Sequence, residues 1–429
     1  MTLTGLSQQR YQSLLWKVTA PGSEKSSYLY GTMHISGKLA FQLGDPFYNA
    51  LESVDAVALE LEPEAWLEAI QNDPTSAYWL ASDFELDFAY DEFGYDSPLP
   101  ALVGKYRLDS DLHARVSDAL SNDPQLLNYF LFRFGNEDAE AEFEEDTWLD
   151  MHIYQTAKKL SKATVGLETY AQSDEFIRKA TMAEYTEFND QPWGDRDVME
   201  LNELQQQLEP AYRNQDLDLI DSLNRLTTSA AFQKYILNER SGVFVQSLDS
   251  LMKAGISTFA AMGCAHLPGE FGAIERLRRL GYRVEPIGKG QRNAKRRKTY
   301  EAKICNRTFT PFSTRDGQLT FYTPTKVYPL DVTNGSQSWI SLDIANGASF
   351  AVTRLKSYAA VTGLGNDELL RTVEELIYEA VAGEVVSNER IRSGKFDGFD
   401  IVSRTRRGDF RRQRILLLPE EILILKLTA

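Results

Sequence analysis

The chain has 429 residues, 43% hydrophobic and 25% charged, a balance typical of globular proteins and a length suited to two or three domains. Its 62 acidic residues outnumber 46 basic ones, and the net charge of -16 argues against a nucleic-acid partner, because phosphate binding needs a basic surface. Only Cys264 and Cys305 are present, which excludes a disulfide framework and a cysteine-rich zinc site; no apolar run approaches the roughly 20 residues of a transmembrane helix. The scarcity of cysteine fits the cytoplasm and equally a secreted protein without disulfides. Met1 to Arg10 has no hydrophobic signal core, so an extracytoplasmic location implies a signal already trimmed.

In chain order, Gln12 to Thr19 alternates as a first strand, and Pro21-Gly22-Ser23 turns it into a second that ends at Gly31. Asp45 to Leu51 reads as a helix with Phe47, Ala50 and Leu51 on one face. Asp55 to Glu62 follows as a buried strand with an acidic end at Pro63. Pro63 to about Leu160 is a long, mainly helical insertion. Its acidic run Glu137 to Asp146 reads as a solvated face, and His113 sits among charges on a surface helix. His152 lies on an apolar helical stripe with Trp148, Leu149, Ile153 and Ala157, where a hydrogen-bonded structural histidine is the expected role.

Ala163 to Thr169 is a short strand ending on Glu168, and helices fill most of Asp174 to Leu251. Thr258 to Gly263 is the next strand, followed by a helix from Pro268 to Leu280 with Gly281 as its C-cap, and a strand from Arg283 to Ile287. Alternating strands and helices give an α/β (α+β) class: a central mixed β-sheet with an extensive helical insertion over 12–288. The glycine-containing basic stretch 289–308 reads as a linker. Beyond it, short strands around one helix (Asp367 to about Ala382) indicate a smaller α+β domain over 309–429.

Several catalytic signatures fail. Gly31 to Leu39 imitates a P-loop but has one residue too many between its glycines and no Ser or Thr after Lys38. There is no Gly-x-Ser-x-Gly elbow and no His-Glu-x-x-His helix. What stands out is a repeated pattern. Tyr28-Leu-Tyr-Gly31-Thr-Met-His34 and Phe259-Ala-Ala-Met-Gly263-Cys-Ala-His266 are both hydrophobic strands running into Gly-x-x-His, and they hold two of the four histidines. His34, Glu60, Glu168 and His266 each stand at or just past the C-terminal end of an expected strand, where α/β sheets form ligand crevices. Two imidazoles and a carboxylate suffice to hold a catalytic divalent metal with an open position, and Mn, Co or Zn suits that donor set. Such a metal activates water, and a second carboxylate could serve as general base or orient a histidine. Glu62 is a rival to Glu60 on the same strand face, and Cys264 reads as a small buried residue.

Residues from about 12 to 288 resemble the TraB/PrgY/GumN family, which includes the TIKI metalloproteases and is similar to ChaN-like and erythromycin-esterase folds. The matching text is Tyr28 to His34, Asp55-Ala-Val-Ala-Leu-Glu60-Leu-Glu-Pro63, Val165-Gly-Leu-Glu168-Thr, Asn238-Glu-Arg240, Gly263-Cys-Ala-His266-Leu-Pro-Gly269 and Leu277 to Ile287. The resemblance implies that His34 and His266 are the paired motif histidines, with Glu60 beside them and Arg240 in the place of the family's arginine. A guanidinium there could hold an anionic group or a developing oxyanion, or merely pair Glu239 at the surface. The tail from Phe309 is weakly similar to PsbP-like folds. The expectation is a metal-dependent hydrolase, a peptidase above all, with His34, His266 and Glu60 on the metal and Glu60, Glu168 and Arg240 catalytic. A metal-free esterase and a non-catalytic peptide- or small-ligand-binding protein are the alternatives.

Overall fold

A computed structural model describes residues 10–22, 24–33, 41, 43–72, 112–121, 148–190, 203–204, 206–330, 336–357, 365–381, 383–404, 408 and 410–429. The chain forms two compact units, Met1–Ala69 with Ala139–Ile304, and Ile70–Asp138 with Cys305–Ala429. It is an α/β protein with a mixed central sheet.

In the first unit, β1 (Leu15–Thr19) and β2 (Ser26–Thr32) form the expected hairpin. Next come α1 (Asp45–Ser53), β3 (Ala56–Leu59) and α2 (Pro63–Asn72). Helix α3 (Leu112–Ser121) belongs to the second unit. The first unit resumes with α4 (Leu149–Lys159), β4 (Ala163–Gly166), α5 (Tyr170–Asp190), α6 (Leu208–Arg213) and α7 (Leu217–Thr227). A π-helix (Phe232–Glu239) runs directly into α8 (Arg240–Lys253), then β5 (Thr258–Gly263), α9 (Ala273–Arg279) and β6 (Arg283–Ile287).

The sheet order is β4-β3-β5-β2-β1-β6, with β2, β5, β3 and β4 mutually parallel and β1 antiparallel to β2 and β6. The reason is legible in composition: β3 is Ala-Val-Ala-Leu and β5 is Thr-Phe-Ala-Ala-Met-Gly, continuous apolar runs suited to burial on both faces. Helix α1 sets Phe47 edge-on to Tyr30 and Phe259, with centroids 4.9 and 5.4 Å away. Gly281 takes a left-handed φ of 91° after α9, as its C-cap role demands.

The basic stretch 289–308 differs from the linker expectation. It contains α10 (Ala294–Glu301), capped by the Asn293 side chain, which accepts from the Arg296 amide at 2.9 Å. Arg296 reaches Asp45 (3.2 Å) and Glu52 (2.6 Å) of α1, and Arg297 lies 4.6 Å over the Phe41 ring. Arg296 is thus fastened to an acidic neighbouring helix, a long-range pairing that local composition cannot display.

The second unit is a seven-stranded antiparallel sheet plus a two-stranded one. The latter pairs β7 (Thr310–Ser313) with β8 (Thr320–Thr323). The large sheet comprises β9 (Val327–Leu330), β10 (Ser336–Asp343), β11 (Ala348–Lys356), β12 (Glu384–Ser393), β13 (Phe396–Arg404), β14 (Phe410–Leu417) and β15 (Glu421–Thr428). Its order is β12-β13-β14-β15-β11-β10-β9. Helix α11 (Asn366–Ala380) packs Leu369, Val373 and Ile377 with Phe399, Ile401, Ile415 and Ile424. The insertion helix α3 completes this core with Val116 and Leu120, and Arg115 donates to the Lys356 carbonyl at 3.0 Å. The sequence reading kept the whole insertion with residues 12–288. The apolar stripe of α3 instead finds its partner on α11, some 250 residues later, a choice set by packing and not by local propensity. Strand β12 escaped the sequence reading because it is an edge strand, Glu-Val-Val-Ser-Asn-Glu-Arg-Ile-Arg-Ser, whose polar residues suppress the alternation signal.

Candidate functional site

The parallel strands β3, β4 and β5 of the first unit end at one edge of the sheet, and β2 ends there too. Thr32 of β2 lies opposite Gly263 of β5, so the two copies of the Gly-x-x-His pattern start from adjacent parallel strands. A Cβ on Gly31 would stand 3.0 Å from Cys264 Cβ and 3.0 Å from a Leu267 methyl; only glycine lets β2 come this close to the turn after β5. Strand order reverses direction here, since β5 returns between β2 and β3, and such switch points leave a crevice at the strands' carboxyl ends.

Three of the residues expected at the edge meet there, joined by Arg240. Glu60 follows β3, Glu168 follows β4, and His266 ends a 3₁₀ turn (Cys264–His266) after β5. Arg240, the first residue of α8, donates from Nε to both Glu168 oxygens (3.2 and 3.3 Å) and from Nη2 to Glu168 Oε1 and to Glu60 Oε2 (3.1 Å). The other Glu60 oxygen accepts the Gly263 amide at 2.7 Å and lies 3.7 Å from His266 Nε2. His266 Nδ1 meets the Ser241 hydroxyl at 3.0 Å, and the ring stands edge-on to Phe244 at 5.0 Å. Glu168, Arg240, Ser241 and His266 are all buried. Burial pushes the Glu168 carboxyl up, against the pull of Arg240 and with the help of the Glu60 charge. Burial works against the charge on Arg240, but its bonds to Glu168 and Glu60 prevail and raise its pKa. The guanidinium is therefore fixed as a cation between two carboxyl groups, with Nη1 bearing no protein acceptor among the described residues. Arg240 turns inward to this pair rather than to Glu239.

The profile of the TraB/PrgY/gumN family matches residues 14–286, which span this sheet and its edge residues. The chain belongs to the TraB/PrgY/gumN family. No curated protein matches it. A crystal structure of a protein of unknown function, PA94 from Pseudomonas aeruginosa, is similar over 28% of this chain and 82% of its own, at 16% identity and a TM-score of 0.16. A TM-score that low has no bearing on fold.

Within the family region, His34 and the acidic run 137–146 lie outside the described residues, as does the side chain of His113. Glu62 does not share a strand with Glu60, because β3 ends at Leu59. Its carboxylate accepts the Ala65 amide (2.8 Å) at the start of α2 and the Thr164 hydroxyl (2.9 Å), a capping role that removes it from the rivalry with Glu60. Cys264 is buried with its thiol pushed up to about 12 by burial, as suits a packing residue. His152 is buried against Phe41 with centroids 5.5 Å apart; its Nε2 has no hydrogen-bond partner among the described residues, and Nδ1 is 3.9 Å from Glu301. The hydrogen bond expected of it is not present among the described residues, and its pKa falls to about 3, from burial first and then the charges of Arg297 and Lys159.

Ser241 is the edge residue that sequence reasoning missed. Nothing marks a serine beside an arginine as a histidine's partner; only helical geometry, which puts residues 240, 241 and 244 on one side of α8, could have raised it. Asp150 was missed too. It opens α4 at this edge and accepts the hydroxyl of the buried Thr32 at 2.8 Å.

The donor set bears on a divalent metal. Two ligands about 2.1 Å from one ion and 3.7 Å apart subtend roughly 120°, an angle that tetrahedral or five-coordinate zinc-type sites tolerate. With the Nδ1 proton directed to Ser241, His266 Nε2 presents a lone pair toward Glu60, the arrangement by which an outer partner fixes a ligating tautomer. Among the described residues no group of three or more His, Cys, Asp or Glu converges as a metal cage. His266 and Glu60 thus fit as two ligands, and a third has to come from elsewhere.

Proposed function

We propose that this family member is a metal-dependent hydrolase, most simply a peptidase, with Glu60 and His266 as two ligands and His34 as the third. The observation that carries the reading is the 3.7 Å approach of His266 Nε2 to Glu60 Oε1, with each group braced from behind, the imidazole by Ser241 and the carboxylate by Arg240 and Gly263. A metal bound there would lower the pKa of a water to about 7 and supply hydroxide for attack on a carbonyl.

The chain's own residues supply the remainder. Ser241 holds the His266 ring at Nδ1 and so aims Nε2. Glu60 bridges the two halves of the site, accepting from Arg240 at one oxygen and facing His266 with the other. Glu168 anchors Arg240 through Nε and Nη2, which leaves Nη1 to donate to the oxyanion that forms as a carbonyl becomes tetrahedral. Burial of the cluster strengthens these interactions by keeping water away.

The test is metal analysis of the purified full chain after exhaustive dialysis, then re-addition of Mn, Co or Zn with a peptide and an ester substrate. Metal-restored peptide turnover, lost about a hundredfold or more in His266→Ala and Glu60→Gln, is the expected result. Turnover that chelators leave untouched points to a metal-free esterase, and ligand binding without turnover under every metal points to a binding protein; either overturns the proposal.

A further inference from the structure

Two elements lead away from the ion-pair cluster. Helix α5 begins two residues after Glu168, and the π-helix ends where Arg240 begins. Away from the cluster, these elements and the end of α7 enclose an open groove of about 520 Å³ lined by Thr181, Glu184, Tyr185, Thr228, Ser229 and Phe232. A π-helix is rare and widens its turn, and such segments concentrate at functional sites.

The groove has a definite chemistry. Tyr185 is 70% exposed and forms one wall with Phe232, and a collar of hydroxyls surrounds Glu184. The Glu184 carboxylate accepts the Ser229 hydroxyl, and Ser229 Oγ in turn accepts the Phe232 amide at 2.9 Å, so the acidic group is positioned. No lysine or arginine among the described residues pairs with it. Several cations on the same elements are engaged elsewhere: Lys179 with Glu175 at 2.8 Å, Arg225 with Asp221 at 2.8 Å, and Lys234 over Tyr235 at 4.6 Å. A positioned carboxylate with no cation among the described residues, flanked by aromatic rings, is complementary to an alkylammonium or guanidinium group.

We propose that the groove is a subsite for a lysine or arginine side chain of a peptide whose scissile bond lies at Glu60 and His266. The placement of the peptide rests on the hydrolase reading; binding of the cationic side chain does not. Glu184 stands fourteen residues along α5 from Tyr170, on the order of 20 Å at 1.5 Å per residue. An extended peptide covers that in about six residues. The subsite therefore selects substrates by a basic residue well removed from the bond cleaved.

Fluorescence polarisation with the full chain tests this without requiring turnover. The probes are a labelled unstructured peptide carrying one lysine and the same peptide with norleucine in its place. The lysine peptide is expected to bind about tenfold more tightly, through one charge-assisted contact. Glu184→Gln, nearly isosteric, brings the two affinities together, and Tyr185→Ala, at an exposed position, weakens the lysine peptide while sparing the fold. Equal affinities in the wild-type chain, a preference that survives Glu184→Gln, or no measurable binding of either peptide overturns the proposal. Turnover of the wild-type chain separates the two readings: a lysine preference in a wild-type chain that shows no turnover under any added metal sinks the hydrolase and leaves the groove. Turnover with no preference for the lysine peptide does the reverse.

Discussion

The charged groups of the two units are placed differently. In the first, β2, β3, β4 and β5 have four to seven residues, and at their ends Glu168, Arg240 and His266 are all buried with Glu60 among them. In the second, the buried charges keep partners more open to water: Asp400 is held by Arg412 (2.8 Å) and Arg414, whose side chains are 59% and 45% exposed, and the buried Arg354 reaches Glu421 (2.7 Å) and Asp316 (2.6 Å), whose side chains are 22% and 41% exposed. The antiparallel sheet opens its ion pairs toward water on one side, while its apolar core lies against α3 and α11. The parallel sheet instead carries charge into the interior, where desolvation is costly unless every group is paired. This concentration of buried charge is the feature on which the proposed site rests, because a stable fold alone does not require it.

The sharpest way to break this contrast is to remove one partner in each unit. Arg240→Ala strands two carboxylates at the strand ends and is expected to cost about 3–5 kcal/mol, read as a lowered denaturation midpoint with faster hydrogen exchange in β3 to β5. Arg412→Ala in the second unit should lower the midpoint far less, since a solvated arginine contributes little and Arg414 still holds Asp400. If the two variants behave alike, the contrast is false.

The core of the second unit gives the next largest effect. Leu120→Ala is expected to destabilise it by about 2–5 kcal/mol, because Leu120 is 1% exposed. Exchange should quicken in β13 to β15 and leave β2 to β5 alone. Uniform quickening would show that the units do not unfold separately.

Acid should also separate them. His152, with its pKa depressed to about 3 by burial, stays neutral in the folded first unit, while the unfolded chain binds the proton near 6.5. Its contribution is complete above pH 6.5 and is lost as pH falls toward 3, about 2 kcal/mol between pH 6.5 and 5. In the second unit Arg412 holds the Asp400 carboxyl down at about 2, so stability there is complete above about pH 4 and is lost as pH falls toward 2. A pH series of exchange rates should show β3 to β5 loosening first, and His152→Leu should remove that early phase.

The smallest effect needs no loss of stability. Cys264 is buried with its thiol raised to about 12, whereas Cys305 is half-buried. A thiol reagent at pH 8 should titrate Cys305 in the native chain and Cys264 only after denaturant is added.

Much of the first unit was legible because its signals are local. The strand leading to Glu60, the two strands that run into Gly-x-x-His and the Gly281 cap each declare themselves within a dozen residues. What sequence could not show was pairing across the fold. Arg240 had no visible partner until β3 and β4 brought Glu60 and Glu168 beneath it, and Ser241 carried no mark of its bond to His266. Glu62 looked equivalent to Glu60 because alternation was carried past the true end of β3. Helix α3 and the seat of α10 were hidden for the same reason, since each depends on a surface built by distant residues.

The seat of α3 also bears on how the chain is made. On the ribosome α3 emerges long before α11 and β13 to β15, so its apolar stripe, with Val116 and Leu120, has nothing of its own unit to cover it. Until the last strand, Glu421–Thr428, is released, that stripe is a target for chaperones and for other nascent chains. Closure then ties together two points separated by most of the first unit, a loop whose entropic cost grows only slowly with its length. A chain stopped between β6 and α11 keeps its site residues but leaves α3 without the helix it packs on.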